Sequence, residues 1–437
     1  MSAKDCFVVT PSNPLIGRTT VPGDKSISHR AILFGALGQG VTRVRGWLAA
    51  GDTEASLASI QALGVQVERQ GKNELTIHGG HLQPPRQSLN LINAGTGIRL
   101  LAGIMCGQPF ESVLDGTEQL RRRPMKRILT PLQMMGANIT AVDNRAPLII
   151  KPAKLHGIKY EMPVASAQVK SAILLAGLFA GGATAVVQPG PARDHTERML
   201  SAMGVDIVTD GDTIVLTPNG SLRPMDLTVP GDVSSAAFVI VAALLVPGSD
   251  ITLTGINLNP TRTGLLDVLR AMGAGITVTE TGLEAGEPVG EIRVRHSVLK
   301  GTQVGGEVVV EMIDEFPILM VAALAAEGET VVRDAQELRV KETDRIAVMA
   351  GELSKLGAQI TETPDGFIIR GPQKLNAATV DGHDDHRVSM SLSVTGLVAD
   401  GETTVLDARC AGDSFPGFAE TLAGLGATIS VKELNPT

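Results

Sequence analysis

Leu356-Gly357-Ala358-Gln359-Ile360-Thr361 carries the signature from which the fold follows. An amphipathic run ends at Leu356, a glycine follows, and β-like sequence begins at once. A helix that stops at a left-handed C′ glycine and passes into a strand has this form. The same apolar–Gly–small pattern recurs at Leu63-Gly64-Val65, Met135-Gly136-Ala137, Met203-Gly204-Val205, Met272-Gly273-Ala274 and Leu425-Gly426-Ala427. The intervals between successive glycines are 72, 68, 69, 84 and 69 residues, so the chain repeats one unit six times.

A second marker keeps the same period. Strongly apolar helices are predicted to begin near Ser28, Gly97, Gln168, Ser234, Glu315 and His386, at intervals of 69, 71, 66, 81 and 71 residues. Each leads through a Gly-containing turn into a strand: Thr42–Arg45, Glu111–Leu114, Ala183–Val187, Asp250–Leu253, Thr330–Arg333 and Thr403–Leu406. Closing strands follow at Asn73–His78, Ala146–Lys151, Asp212–Thr217, Gly290–Arg295 and Gly366–Arg370. The unit therefore reads apolar helix, strand, amphipathic helix, strand, strand. The sixth unit lacks its closing strand, and the β-like run Cys6–Thr10 has no unit of its own; the second is expected to complete the first. An α/β fold of two similar lobes follows, three units in each. Residues 23–231 form one lobe, and residues 1–22 with 232–437 form the other. The crossings are expected at Val21-Pro-Gly-Asp24 and its echo Val229-Pro-Gly-Asp232.

Composition bounds the function. A chain of 437 residues exceeds what one core usually supports, in keeping with two lobes. A net charge of −8 argues against a nucleic-acid partner, yet leaves room for a local cationic pocket. Cys6, Cys106 and Cys410 show neither a disulfide framework nor zinc spacing, which points to a reducing cytoplasm. No basic flank and apolar core mark a signal peptide, and apolar runs such as Ala172–Ala180 are too short to span a bilayer. No membrane partner is expected, and the chain is expected to be a monomer.

Chemistry gathers at the starts of the apolar helices. The first is Pro22-Gly-Asp-Lys-Ser-Ile-Ser-His-Arg30, a turn feeding a helix whose free N–H groups suit an anion. The others are Asn93–Thr96, Ser166–Lys170, Asp232–Ser235, Ile313–Glu315 and Asp384–Arg387. Asn, Ser and Asp are ordinary caps. Arg30, Arg99, Lys170 and Arg387 oppose the helix dipole and call for an anion to meet them. Equivalent units would bring these six helix N-termini together toward the cleft between the lobes. Arg121–Arg127 is the densest basic run, most of it readable as a solvated loop. In Arg339–Arg345, Lys341 and Arg345 are spaced as on a surface helix with i,i+4 pairs. Asp314 and Glu342 beside such cations suit acid–base chemistry on a multiply anionic substrate. Gly17–Ser26 has the wrong spacing for a P-loop. His383-Asp-Asp-His386 lacks a matching second cluster, so no metal is expected.

Taken together, Lys25-Ser-x-Ser-x-Arg30, Asn93-Ala-Gly-Thr-x-x-Arg99, Arg123-Pro124, Ser166-Ala-Gln168, Val340-Lys-Glu-Thr-Asp-Arg345 and Asp385-His-Arg387 span nearly the whole chain in order. The set resembles the 5-enolpyruvylshikimate-3-phosphate synthase family. The resemblance implies two lobes of three βαβαββ units, with the N-terminal strand joining the C-terminal lobe. It also implies enolpyruvyl transfer from phosphoenolpyruvate to the 5-hydroxyl of shikimate 3-phosphate, with release of phosphate and no cofactor. By similarity, Lys25, Ser26, Arg30, Ser166, Gln168, Asp314 and Lys341 would hold shikimate 3-phosphate. Lys25, Gly95, Arg123, Gln168, Arg345 and Arg387 would hold phosphoenolpyruvate. Asp314 would be the base, and either Lys25 or Glu342 would protonate the methylene carbon. Asp413 stands where many family members carry a lysine, and Leu100 where many carry proline. The sister transferases acting on UDP-N-acetylglucosamine place Lys-Asn where this chain has Lys25-Ser26, and use a loop cysteine that Asp115–Arg123 lacks. A non-catalytic anion-binding protein would leave Asp314 and Glu342 without a purpose.

Overall fold

The six repeats are written in the backbone of the computed structural model, which describes residues 4–434. Gly64, Gly136, Gly204, Gly273, Gly357 and Gly426 all take positive φ, between 84° and 110°. The residue after each donates its N–H to a carbonyl five residues back, for example Val65 to Ile60 at 3.1 Å and Ala358 to Leu353 at 3.1 Å. This is the Schellman closure, and it turns each amphipathic helix into the next strand.

The apolar helices are α1 (Lys25–Leu37), α2 (Gly95–Cys106), α3 (Ala167–Gly177), α4 (Val233–Leu245), α5 (Phe316–Ala325) and α6 (His386–Gly396). Every residue of α4 is buried. Helices apolar on all sides belong inside a core, as these do.

Among the described residues there are six four-stranded sheets. In each, a short strand pairs in parallel with the strand after an apolar helix, and the remaining pairs are antiparallel. Strand Lys4–Val9 runs antiparallel to both Thr403–Leu406 and Ile429–Leu434, so the N-terminal segment lies inside the last sheet.

Two compact units emerge. One comprises Gly23–Pro230 with Leu283–Glu287; the other comprises Met1–Pro22, Gly231–Gly282 and Pro288–Thr437. This division differs from the sequence reading in two places. Gly231 groups with the C-terminal unit, and the tip of the hairpin Gly275–Glu284/Glu287–Arg295 groups with the N-terminal one. The tip is tied there by Arg198 Nη1, which donates to the Gly286 carbonyl at 3.1 Å, and by a buried His195–Glu287 pair. Each unit has its own apolar core. Among the described residues no helix is long and apolar enough to cross a membrane.

Candidate active site

In the N-terminal unit, Asp24 caps α1 by accepting the Ile27 N–H at 2.9 Å, which fixes the turn bearing Lys25 and Ser26. Lys25 Nζ stands 2.6 Å from Asp52 Oδ2 at a partly exposed position. Arg99 ties α2 to α3: its Nη1 donates to the Gly95 carbonyl and to Gln168 Oε1, both at 2.9 Å. Gln168 Nε2 in turn donates to Thr96 Oγ1 at 2.9 Å. A Cβ on Gly95 would lie 2.5 Å from Arg123 Nη1 and 3.1 Å from Arg99 Nη1, so the missing side chain is what admits two guanidinium groups. Arg121 and Arg122 are exposed and paired with Asp115 and Glu118. Of the triple-arginine run, Arg123 alone turns inward to α2. Ser166 caps α3, with its Oγ 3.5 Å from the Val169 nitrogen.

Arg30 is only 2% exposed. Its Nε donates to Thr196 Oγ1 at 2.8 Å, Nη2 to Ser171 Oγ at 2.9 Å and Nη1 to the Ser26 carbonyl at 2.9 Å. Burial pushes its pKa down to about 10; Glu197, Asp24 and Glu287 oppose that, while Arg193 pushes the same way. Arg193 is a cation near Arg30 that the sequence reading did not single out. Its signal was present in the charged run Arg193-Asp-His-Thr-Glu197, which opens an amphipathic helix. Lys170 corrects another expectation. It meets an internal anion, with Nζ 2.6 Å from Glu197 Oε1 and further bonds to Gln188 Oε1 and the Ala192 carbonyl.

The C-terminal unit gathers Asp314, Lys341, Glu342, Arg345 and Arg387. Asp314 oxygens lie 3.3 Å from Arg345 Nη1, 3.7 Å from Lys341 Nζ and 3.8 Å from Arg387 Nη2. Arg345 is buried: Nε donates to Asp385 Oδ2 at 2.9 Å and Nη2 to Glu342 Oε2 at 2.8 Å. Burial alone would lower its pKa, but the charges of Asp385, Glu342 and Asp314 outweigh that and raise it. Lys341 and Glu342 do not share a helix with Arg345, so the alternative of a surface helix with i,i+4 pairs does not hold. They lie in the loop between the 3₁₀ turn Gln336–Val340 and a helix that opens at Arg345, capped by Asp344. The loop bends them toward Asp314 and Arg345. Arg387 Nη1 is 3.8 Å from Glu315 Oε1, and Glu315 also accepts the Ser234 hydroxyl. His383 is engaged elsewhere, with Nε2 2.7 Å from Glu352 Oε1. Among the described residues no group of His, Cys, Asp and Glu could hold a metal ion.

Repeated four-stranded units whose buried helices open in cations, with carboxylates set among those cations, define an α/β protein built for multiply anionic ligands. The model of EPSP synthase (3-phosphoshikimate 1-carboxyvinyltransferase) matches residues 9–422. A 3-phosphoshikimate 1-carboxyvinyltransferase of Geobacter sp. (strain M21) is 51% identical over 424 residues, covering 96% of this chain and 99% of its own. Its counterpart in Acidithiobacillus ferrooxidans is 50% identical, covering 97% and 99%. The solved EPSP synthase of Acinetobacter baumannii superposes with a TM-score of 0.90 at 44% identity, covering 98% of this chain and 100% of that one. The chain belongs to the EPSP synthase family.

Proposed function

We propose that the residues described above carry out this chain's reaction, enolpyruvyl transfer from phosphoenolpyruvate to shikimate 3-phosphate. The observation that supports the assignment most is Asp314, a carboxylate with Lys341, Arg345 and Arg387 all within 3.8 Å. Cations so placed suit a substrate bearing phosphate and carboxylate charge. Lys25, Ser26, Arg30, Ser166, Gln168, Asp314 and Lys341 are assigned to shikimate 3-phosphate. Phosphoenolpyruvate is assigned to Lys25, Gly95, Arg123, Gln168, Arg345 and Arg387.

Asp314 takes the proton of the 5-hydroxyl as its oxygen bonds to C2 of phosphoenolpyruvate. A proton from Lys25 or Glu342 reaches the methylene carbon, giving a tetrahedral adduct. Loss of a proton from the new methyl group then expels phosphate and restores the double bond. The scheme uses no cofactor, and we read the enzyme as a cytoplasmic monomer whose two lobes are the units described above.

Phosphate release measured with both substrates, and with each omitted in turn, tests the reading; release no greater than in the single-substrate controls would sink it. Asp314→Asn is expected to lower kcat about a hundredfold or more, the scale of a lost general base, while substrate binding persists. Unchanged turnover would remove Asp314 from the mechanism.

A further inference from the structure

The buried cations of the described residues are held in two different ways. Arg345 and Lys170 are met by carboxylates at hydrogen-bonding distance. Arg30 is met by two hydroxyls and a backbone carbonyl. Thr196 Oγ1 and Ser171 Oγ also pair with each other at 2.7 Å, so they form one neutral bracket around Nε and Nη2. Thr196 and Ser171 are fully buried. A neutral bracket fixes the direction of a guanidinium without cancelling its charge, whereas a carboxylate does both. Burial lowers the pKa of Arg30, and the charges of Glu197, Asp24 and Glu287 offset that only in part.

The bracket is itself anchored. Thr196 lies in the first turn of helix His195–Ala202, next to His195, whose Nδ1 is 2.7 Å from Glu287 Oε1 with both side chains wholly buried. Glu287 is 92 residues away in sequence, at the hairpin tip that groups with this unit. Gly286, at φ +83°, shapes the turn before it.

We propose that Thr196, paired with Ser171, is a positioning residue for shikimate 3-phosphate, holding Arg30 aimed and charged for an anionic group of that substrate. This rests on the assignment of Arg30 to shikimate 3-phosphate. Thr196 does not touch the substrate; it acts through the guanidinium. A hydrogen bond to a charged group is strong enough for its loss to weaken binding about tenfold.

The test is steady-state kinetics on the intact enzyme with both substrates varied. Thr196→Val, close in shape but without the hydroxyl, is expected to raise KM for shikimate 3-phosphate about tenfold. KM for phosphoenolpyruvate and kcat should stay within about twofold. Thr196→Ser should restore the wild-type KM, and Ser171→Ala should reproduce the valine phenotype from the other side of the bracket. An unchanged KM for shikimate 3-phosphate, or equal rises in both KM values, overturns the proposal. Failure of both Thr196→Val and Ser171→Ala to fold would make the pair structural and overturn it too. If the wild-type enzyme releases no phosphate, the functional reading falls and takes this proposal with it. A wild-type enzyme that turns over while Thr196→Val shows no split overturns the proposal alone.

Discussion

At the scale of single residues, the cations at the helix starts turn out to be unequal. Each was expected to await an outside anion, and Lys170 instead meets Glu197 inside the fold. Arg345 is held chiefly by Asp385, 40 residues away, and Arg30 by hydroxyls 141 and 166 residues away. Composition and spacing announce that a buried cation needs a partner, but not which one, because these partners come from remote sequence. His29 shows what the same surroundings do to a weaker base. Its ring is buried, Nδ1 lies 2.8 Å from Ser56 Oγ, and Nε2 has no hydrogen-bond partner among the described residues. Burial pushes its pKa down to about 3; Asp52 resists, while Lys25 and Arg30 add to the depression. The unfolded chain therefore takes up a proton below about pH 6.5 that the folded chain refuses until about pH 3. Stability from this group is full above pH 6.5 and falls as pH drops through that window. Between pH 7.5 and 5 the loss is about 2 kcal/mol. Urea unfolding at pH 7.5 and pH 5 should show the wild type losing more stability than His29→Asn by that amount. Equal losses would mean that His29 is protonated in the fold.

At the scale of elements, the repeat was plainly legible, because a Gly C′ signal and an apolar helix recurring on one period have no other economical reading. The short parallel strands were not. Ile16–Thr19, Leu89–Asn90, Lys159–Glu161, Asp226–Thr228, Gln303–Val304 and Thr379–Asp381 have two to four residues each, too few to show a period of two. Two of them also trade places. Ile16–Thr19 precedes α1 but pairs with Asp250–Asn257, while Asp226–Thr228 precedes α4 but pairs with Gly40–Arg45. The meeting of α2 and α3 was equally hidden, since it hangs on one hydrogen atom. A Cβ on Gly103 would stand 2.3 Å from the Ala172 carbonyl oxygen, which is backbone and cannot swing aside. That close approach is what lets Arg99 reach Gln168. Gly103→Ala should force the helices apart and cost about 1–3 kcal/mol or more, as overpacking does. A denaturation midpoint equal to that of wild type would show that the helices can shift without penalty.

At the scale of the whole chain, each unit depends on sequence from the far side of a crossing. The hairpin tip Leu283–Glu287 serves the N-terminal unit, and Lys4–Val9 serves the C-terminal one. The two Val-Pro-Gly-Asp crossings mirror each other in detail: Asp24 N–H donates to the Pro230 carbonyl at 2.8 Å, and Asp232 N–H to the Pro22 carbonyl at 2.9 Å. The sequence showed that the last unit lacked a strand and that Cys6–Thr10 was spare, so this closure could be inferred by subtraction; nothing comparable flagged the hairpin tip. The N-terminal strand is central in its sheet, bonded on both edges, with Cys6, Phe7 and Val9 buried. Phe7 also packs edge-to-face on Phe418, with ring centroids 5.6 Å apart. Burying such side chains stabilises by about 1.5–3 kcal/mol each. Removing the strand would also strip backbone partners from both neighbours. Against a total stability of about 5–15 kcal/mol, deletion of residues 1–10 should unfold the last repeat. The expected result is loss of phosphate release. Hydrogen exchange should lose protection at Thr403–Leu406 and Ile429–Val431, and keep it at Gly40–Arg45. Protection that survives at Thr403–Leu406 would show that the last sheet closes without its borrowed strand.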